Sequence, residues 1–371
     1  MTTTDSVPAP GPSQAPPLEF VEVRHLVKEF PVTAGAVMQR KIGSVKAVSD
    51  VSLTIAKGET FGLVGESGCG KTTIGRVMVG LEKPTSGEIW FEGQDIAKLR
   101  GRDFRRKRRD LQLMFQDPYA SLDPRMRVGA IIREPLTVQK IGSGKERDSR
   151  VSQLLQEVGL SPKAADLYPH EFSGGQRQRI GLARALALNP KLIVADEPVS
   201  ALDVSIRSQI LNLMNNLQET HGLTYLVISH DLSVVKYLSD RIGVMYLGKL
   251  VEMAPSRVIY EQPAHPYTLG LINAIPEPDP KRERSKEIRP VFGELPSALN
   301  PPSGCRFRTR CPRAQEICAE EEPPLRGFGP RHLAACHFPL IPPVDAATAY
   351  AIGAAPDRRG RTAADTVSRA P

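Results

Sequence analysis

No apolar run in this 371-residue chain is long enough to cross a membrane. The longest, such as Leu192 to Ala195 and Tyr225 to Ile228, are strand-sized, far below the roughly 20 residues a spanning helix needs. Met1 to Leu18 contains no lysine or arginine, so it lacks the basic start of a secretory signal. Its polar, proline-rich composition predicts a disordered arm. No segment recurs at a fixed period, which argues against solenoids and propellers. Cysteine is scarce, with five in all and no C-x-x-C pair, which excludes the usual zinc ribbon. These absences predict a soluble, cytosolic chain whose thiols stay unpaired in a reducing compartment. At 40% apolar and 24% charged, it can fill one large core or two modest ones.

The net charge of +8 admits nucleic acid, an anionic surface, or nothing specific. It concentrates in Arg100 to Arg109, where seven of ten residues are Lys or Arg. Leu111, Leu113 and Met114 follow, so the run reads as a helix leading into a strand, with a solvated charged face. Only Phe104 is interleaved with these charges. A single-strand nucleic-acid surface needs more stacking platforms than that.

Against this background one segment stands out. Gly65-Glu66-Ser67-Gly68-Cys69-Gly70-Lys71-Thr72 fits G-x-x-x-x-G-K-[ST]. It follows the apolar run Thr60 to Val64 and precedes a helix-compatible stretch from Thr72 to Gly80. Glycines let the backbone turn tightly so that several N–H groups point at phosphate oxygens. Lys71 reaches the β- and γ-phosphates, the Thr72 hydroxyl can bind Mg²⁺, and the helix start adds its positive dipole end. The chain is therefore expected to bind ATP or another nucleoside triphosphate. Leu192 to Ala195 reads as a buried strand ending in Asp196 and Glu197. The first acid can hold Mg²⁺ and the second can polarise a water. Ser173-Gly174-Gly175-Gln176 opens a further helix and makes a second anion-binding start. As an isolated feature it is also an ordinary capped helix. Strands are expected at Phe20 to Val27, Val51 to Ile55, Ile89 to Phe91, Tyr225 to Ser229 and Ile242 to Leu247. Pro31 to Ser44 reads as an irregular insertion. Val128 to Ala187 is mostly helical in pattern, as is Ser205 to His221.

Five elements now occur in order: Gly65 to Thr72, Gln116, Ser173 to Gln176, Asp196-Glu197 with Ser200-Ala201-Leu202-Asp203, and His230. Together they closely resemble the nucleotide-binding subunit of ATP-binding cassette transporters, over residues 20 to about 262. The resemblance implies an α/β P-loop cassette with an antiparallel β arm and a helical subdomain near residues 117–180. It implies that Gln116 senses the γ-phosphate, joins Thr72 and Asp196 around Mg²⁺, and links the site to membrane subunits. Glu197 would be the base, and His230 would contact the γ-phosphate. Ser173 to Gln176 would complete a partner's site across a head-to-tail dimer, with Ser200 to Asp203 as the dimer loop. An aromatic residue stacks on adenine in this family. Phe30 is the candidate, against the reading of an ordinary core phenylalanine.

Phe115 to Arg125, Glu197 to Ser205, His265-Pro266-Tyr267-Thr268, Gly293 to Pro296 and Asn300 to Cys305 extend the match to about residue 340. They resemble the ATPase subunits of oligopeptide and dipeptide importers, a family that also includes nickel and glutathione importers. This implies a second ATPase subunit, two membrane permeases docking near Asp117 to Arg133, and an external binding protein. It also implies a place on the cytoplasmic face of the cell membrane and no nucleic-acid partner. A soluble cassette acting on nucleic acid or ribosomes is the alternative, although such proteins usually carry two cassettes or long insertions. Residues 263–340 are expected to form a small cysteine-bearing C-terminal extension, and residues 341–371 a disordered tail. Cys305, Cys311, Cys318 and Cys336 are spaced x5, x6 and x17. Four cysteines so close together in a cytosolic protein suggest a metal. The resemblance favours a [4Fe-4S] cluster over zinc, for which His332 or His337 could substitute as ligands. Cys69 lies apart, in the phosphate loop, where its thiol would make binding sensitive to alkylation.

Overall fold

The computed structural model describes residues 20–34, 40–116, 121–275 and 293–344. Among them are two sheets. The first is antiparallel, in the order β2-β1-β4-β5: β1 Val21–Ala34, β2 Arg40–Ile55, β4 Ser86–Phe91 and β5 Gln94–Asp95. The second holds the eight strands β3 Thr60–Val64, β6 Leu111–Met114, β7 Leu192–Asp196, β8 Thr224–Ser229, β9 Arg241–Tyr246, β10 Lys249–Pro255, β11 Leu325–Gly329 and β12 His332–Ala335. Their order is β11-β12-β10-β9-β3-β8-β7-β6. The run from β9 through β3, β8 and β7 to β6 is parallel. These central strands are buried along their whole length in β3, β7, β8 and β9. Continuous apolar runs of this kind belong to sheets covered on both faces.

The β arm departs from expectation at Pro31 to Ser44. The described strand ends on either side of residues 35–39 pair with each other, with Pro31 opposite Ser44 and Val32 opposite Gly43. β4 leaves β1 at Val27. Beyond that point one side of β1 is an edge, where a proline costs no ladder bond. Gly43 lets Leu299 approach to 3.0 Å of where a β-carbon would sit, and Lys46 N donates to Ala298 O. The arm thus rests on a later part of the chain that local pattern cannot reveal.

A helical block lies between β6 and β7. It contains α3 Val128–Val138, α4 Gly144–Glu157 and α5 Gly174–Leu186. Val151, Leu154 and Leu155 of α4 are buried with Ile131, Ile132 and Ile180 in one apolar cluster. Two helices precede this block, α1 Lys71–Met78 and α2 Gly101–Lys107. α2 carries the basic run and buries none of its residues. Part of that charge is used locally: Lys107 lies 3.3 Å from Glu92, Arg108 donates to Gly80 O, and Arg109 donates to Gln139. Next come α6 Val204–His221, α7 Leu232–Leu238, α8 Ser256–Glu261, α9 Pro266–Asn273 and α10 Ile317–Glu320.

The C-terminal region extends the central sheet. β12 pairs with β10 through Glu252–Ala334 and Met253–Leu333, and β11 follows β12. Beneath this junction Glu252 is fully buried. Its carboxylate accepts from Ala264 N at 2.7 Å and His265 N at 3.0 Å, and lies 2.7 Å from His332 Nε2. His265 caps α9 by accepting from Tyr267 N. Burial lowers its pKa to about 4, against the opposing pull of Glu252. The folded state therefore keeps His265 neutral where the unfolded chain takes up a proton. This contribution is intact above pH 6.5, falls as pH drops toward 4, and levels off below that. The loss should reach up to about 3 kcal/mol. Thermal melts between pH 7 and pH 4.5 will measure it. His265→Asn keeps a capping acceptor without the titration and should flatten the slope. An unchanged slope in that variant would assign the acid sensitivity elsewhere.

Candidate functional site

The phosphate loop connects β3 to α1. Gly65, Gly68 and Gly70 have φ of 152°, 77° and 107°, and Gly68 and Gly70 stand in the left-handed half where glycine is at ease. A β-carbon at Gly70 would lie 2.1 Å from Ala47 O, and one at Gly65 2.2 Å from Met245 O. The loop is packed so closely that no side chain fits on its walls at these two points. Lys71 is 5% exposed, and its Nζ donates to Gly65 O at 2.7 Å and Glu66 O at 2.9 Å. The ammonium is thus held inside the curl of the loop, where phosphate oxygens can replace carbonyls. Thr73 follows on α1, in the first turn.

Around the loop the parallel strands deliver their carboxyl-end residues. Thr72 Oγ1 donates to Asp196 Oδ1 at 3.0 Å. Burial raises the Asp196 pKa, with Thr72 acting against it and nearby Glu197 adding to it. A cation beside Asp196 would relieve that burden. Mg²⁺ commonly takes only one or two protein oxygens plus substrate phosphates, so this hydroxyl–carboxylate pair fits it without a full cage. Glu197 stands at φ 48°, a left-handed conformation that costs a non-glycine residue about 1–2 kcal/mol. Its N–H donates to Ile228 O at 2.8 Å, which fixes the bend. The bend aims a carboxylate held at both ends: Gln116 Nε2 donates to Oε2 at 3.0 Å and His230 Nδ1 lies 2.9 Å from Oε1. The structure therefore gathers Lys71, Thr72, Gln116, Asp196, Glu197 and His230 from four separate segments.

Other expected residues lie apart from that cluster. Ser173 caps α5, accepting from Gln176 N at 3.3 Å, while Gln176 Oε1 accepts from Ser173 N at 2.9 Å. Gly175 is buried where a β-carbon would meet Ile206 at 2.3 Å, and Gly174 faces Leu202. The Ser173–Gln176 turn is thus seated on the Ser200–Asp203 loop. Ser173, Ser200, Ala201 and Asp203 are exposed. Val204 is 76% exposed, unusual for valine. Phe30 is only half-buried, with the Lys28 ammonium 4.7 Å from its ring centroid. It pairs with Val45, two residues before Ala47, whose carbonyl lies against Gly70. Of the expected docking segment, Asp117–Ala120 lies outside the described residues. Of the rest, Ser121 and Leu122 border a cleft of about 350 Å³ lined also by Met114, Phe115, Val138 and Leu188. Phe115 and Val138 are 43% and 65% exposed there.

The cysteine segment requires a correction. Among the described residues, no group of three or more His, Cys, Asp or Glu side chains is placed to hold a metal ion. The expectation of a [4Fe-4S] cluster on Cys305, Cys311, Cys318 and Cys336 is not met, nor is zinc in its place. Burial instead favours protonated thiols, raising Cys305 to about 11 and Cys336 to about 12 and pushing Cys311 up as well. The histidines that might have joined them are engaged elsewhere, His332 with Glu252 and His337 with Glu321 O. Packing does the work assigned to metal. Phe307 is 2% exposed against Tyr246 and Tyr267, with ring centroids 5.2 and 5.3 Å away. Cys305 N donates to Cys318 O. Cys69 is 1% exposed and its pKa is raised by burial, so its thiol is a poor target for alkylation.

A phosphate loop, a strand-end acid pair and an exposed, serine-capped glycine turn on one parallel sheet define an ABC-type ATPase cassette. The ABC transporter family model matches residues 48–200, and the model for the oligopeptide/dipeptide transporter C-terminal region matches residues 251–318. The chain is 54% identical over 320 residues to the oligopeptide transport ATP-binding protein AppF of Bacillus subtilis, covering 86% of this chain and 97% of that protein. Among solved structures it resembles the ATP-binding cassette MJ0796, a dimer in a post-hydrolysis state bound to ADP and Pi. That match has a TM-score of 0.56 and 31% identity, over 64% of this chain and 99% of the other. It also resembles cbiO1 of Clostridium perfringens, part of an ABC transporter complex, with a TM-score of 0.56 and 25% identity, over 66% of this chain and 91% of that one. The chain belongs to the ATP-hydrolysing, ATP-binding subunits of ABC transporters. No helix among its described residues is long and apolar enough to cross a membrane.

Proposed function

We propose that this chain powers uptake of oligopeptides or dipeptides by an ABC importer, as one of two ATPase subunits on the cytoplasmic face of the membrane. The observation that carries the reading is the joint match to the cassette and to the oligopeptide/dipeptide C-terminal region in one chain. In this reading Gly65–Thr73 and Lys71 hold the phosphates of ATP, and Phe30 stacks on adenine. Thr72, Asp196 and Gln116 would hold Mg²⁺, which when bound would neutralise phosphate charge. Glu197 takes the proton of the attacking water at its carboxylate. Gln116 and His230 hold that carboxylate in place, and His230 turns to the γ-phosphate. The cleft beside Phe115 and Val138 receives a membrane permease. A permease pair and an external peptide-binding protein complete the machine, with no nucleic acid involved. Uptake of labelled peptides, in cells lacking the chromosomal copy, tests the reading. The intact chain should restore uptake and Lys71→Ala should not. Restored nickel or glutathione uptake without peptide uptake would reassign the solute.

The exposed Ser173 turn and Ser200–Asp203 loop fit a head-to-tail partner, taken here to be a related but distinct ATPase subunit. Ser173→Arg should cut hydrolysis at the partner's site by at least about tenfold, since an oriented donor at a phosphate is replaced by bulk. Binding of ATP at Lys71 should stay near normal. Turnover that is independent of protein concentration in the isolated chain would contradict this arrangement.

A further inference from the structure

The phosphate loop is held from outside the cassette motifs. Glu66, its second residue, has its carboxylate gripped by Arg310, with Nη1 to Oε2 at 2.7 Å and Nη2 to Oε1 at 2.9 Å. The Arg310 side chain is 7% exposed and that of Glu66 28%. The Glu66 N–H donates to Tyr267 Oη at 3.0 Å. Both Arg310 and Tyr267 fall in the oligopeptide/dipeptide C-terminal region. Around them Tyr246, Tyr267 and Phe307 pack edge to face, and Arg306 donates to Leu247 O. Gly248 N, in the next residue, donates to Cys69 O within the loop. The loop is therefore braced at Glu66 and Cys69 by residues some 180 to 240 positions later in the chain.

Charge gives this brace a functional meaning. A phosphate loop gathers a polyanion, and a carboxylate beside it opposes that ligand. The planar guanidinium satisfies both oxygens of Glu66 and cancels its charge, in a fork that fixes its direction. We infer that Arg310 is a positioning residue for nucleotide binding: by pairing with Glu66 it keeps the phosphate loop neutral and in shape, and so makes the C-terminal region part of the nucleotide site. Any event that draws Arg310 away, such as movement of the segment around Phe307, lowers affinity for ATP without touching Lys71 or Glu197.

The inference rests on Gly65–Thr72 being the phosphate loop, so the test carries a control for that reading. Affinity for a fluorescent ATP analogue with Mg²⁺ would be measured on the purified full-length chain. Arg310→Ala should weaken binding about tenfold, the scale of a lost charge-assisted pair. Adding Glu66→Gln to Arg310→Ala should return affinity to within about threefold of the intact chain, because no uncompensated carboxylate remains. A purely structural brace would lower the melting temperature in both variants and would not be rescued. Affinity of Arg310→Ala within twofold of the intact chain overturns the inference, as does a double variant as weak as the single. If Arg310→Ala does not fold, Arg310→Lys, which keeps the charge and loses the fork, carries the same comparison. A several-fold loss abolished by Glu66→Gln supports the inference, and no loss overturns it. Lys71→Ala should lose binding altogether. If it binds normally, the loop reading itself fails, which is a different result from a silent Arg310.

Discussion

Glu197→Gln should bind ATP and Mg²⁺ much as the intact chain does and hydrolyse ATP about 100- to 10,000-fold more slowly. That is the usual contribution of a positioned general base. The amide keeps the size of the carboxylate and can still meet Gln116 and His230, so the cluster stays assembled. What it loses is the ability to take a proton. The phosphate loop, with Lys71 donating to Gly65 O and Glu66 O, is untouched. The position also argues for this role. A glutamate at φ 48° is strained, and strain of this kind persists where the surroundings over-determine the residue. Here the surroundings are Ile228 O on its N–H and two side chains on its carboxylate. Single-turnover hydrolysis with the assembled transporter, alongside equilibrium nucleotide binding, separates the two steps. Hydrolysis at the normal rate would show that the proton goes elsewhere.

Much of this site is legible in the sequence because it is built from local signals. The glycine spacing before Lys71, the apolar strand ahead of Asp196 and Glu197, and the serine-glycine turn before α5 each carry their chemistry within a few residues. The parallel sheet then brings their ends together, since buried apolar strands admit few arrangements. The misread features share the opposite property. Pro31 to Ser44 looks irregular because its support is non-local: its described ends pair with each other, and Leu299, which packs at Gly43, is far along the chain. The four late cysteines look like metal ligands because sequence shows their number and closeness but not how the fold places their side chains, which among the described residues form no group set to hold a metal ion. Arg310 gave no signal at all, as one arginine in an arginine-rich chain. Only a fold that brings position 310 onto position 66 turns it into a partner for the phosphate loop. Glu252 is similar: a lone glutamate in an apolar strand predicts little until the strand's neighbours are known.

Glu252→Ala should be among the most destabilising single changes in this chain. The carboxylate is fully buried and collects three donors: Ala264 N, His265 N and His332 Nε2. Removing it leaves two backbone N–H groups and an imidazole, itself 1% exposed, without an acceptor. Breaking one side of a buried pair costs about 3–5 kcal/mol, more than a typical core truncation of one methylene. For domains of 150 to 250 residues each kcal/mol moves the melting temperature by about 2–4 °C, so a fall of roughly 6–20 °C is expected. The damage should be directional. Glu252 sits on β10, opposite Ala334 of β12, so its loss loosens the register that ties the C-terminal strands to the central sheet. Hydrogen exchange should rise first in β11, β12 and the start of α9, before it rises in β3, β7 and β8. Glu252→Gln, which retains an acceptor but loses the charge facing His332, should fall between the two. A melting temperature within 2 °C of the intact chain for Glu252→Ala would mean that packing around Phe307 and Tyr267 suffices to hold the C-terminal region in place.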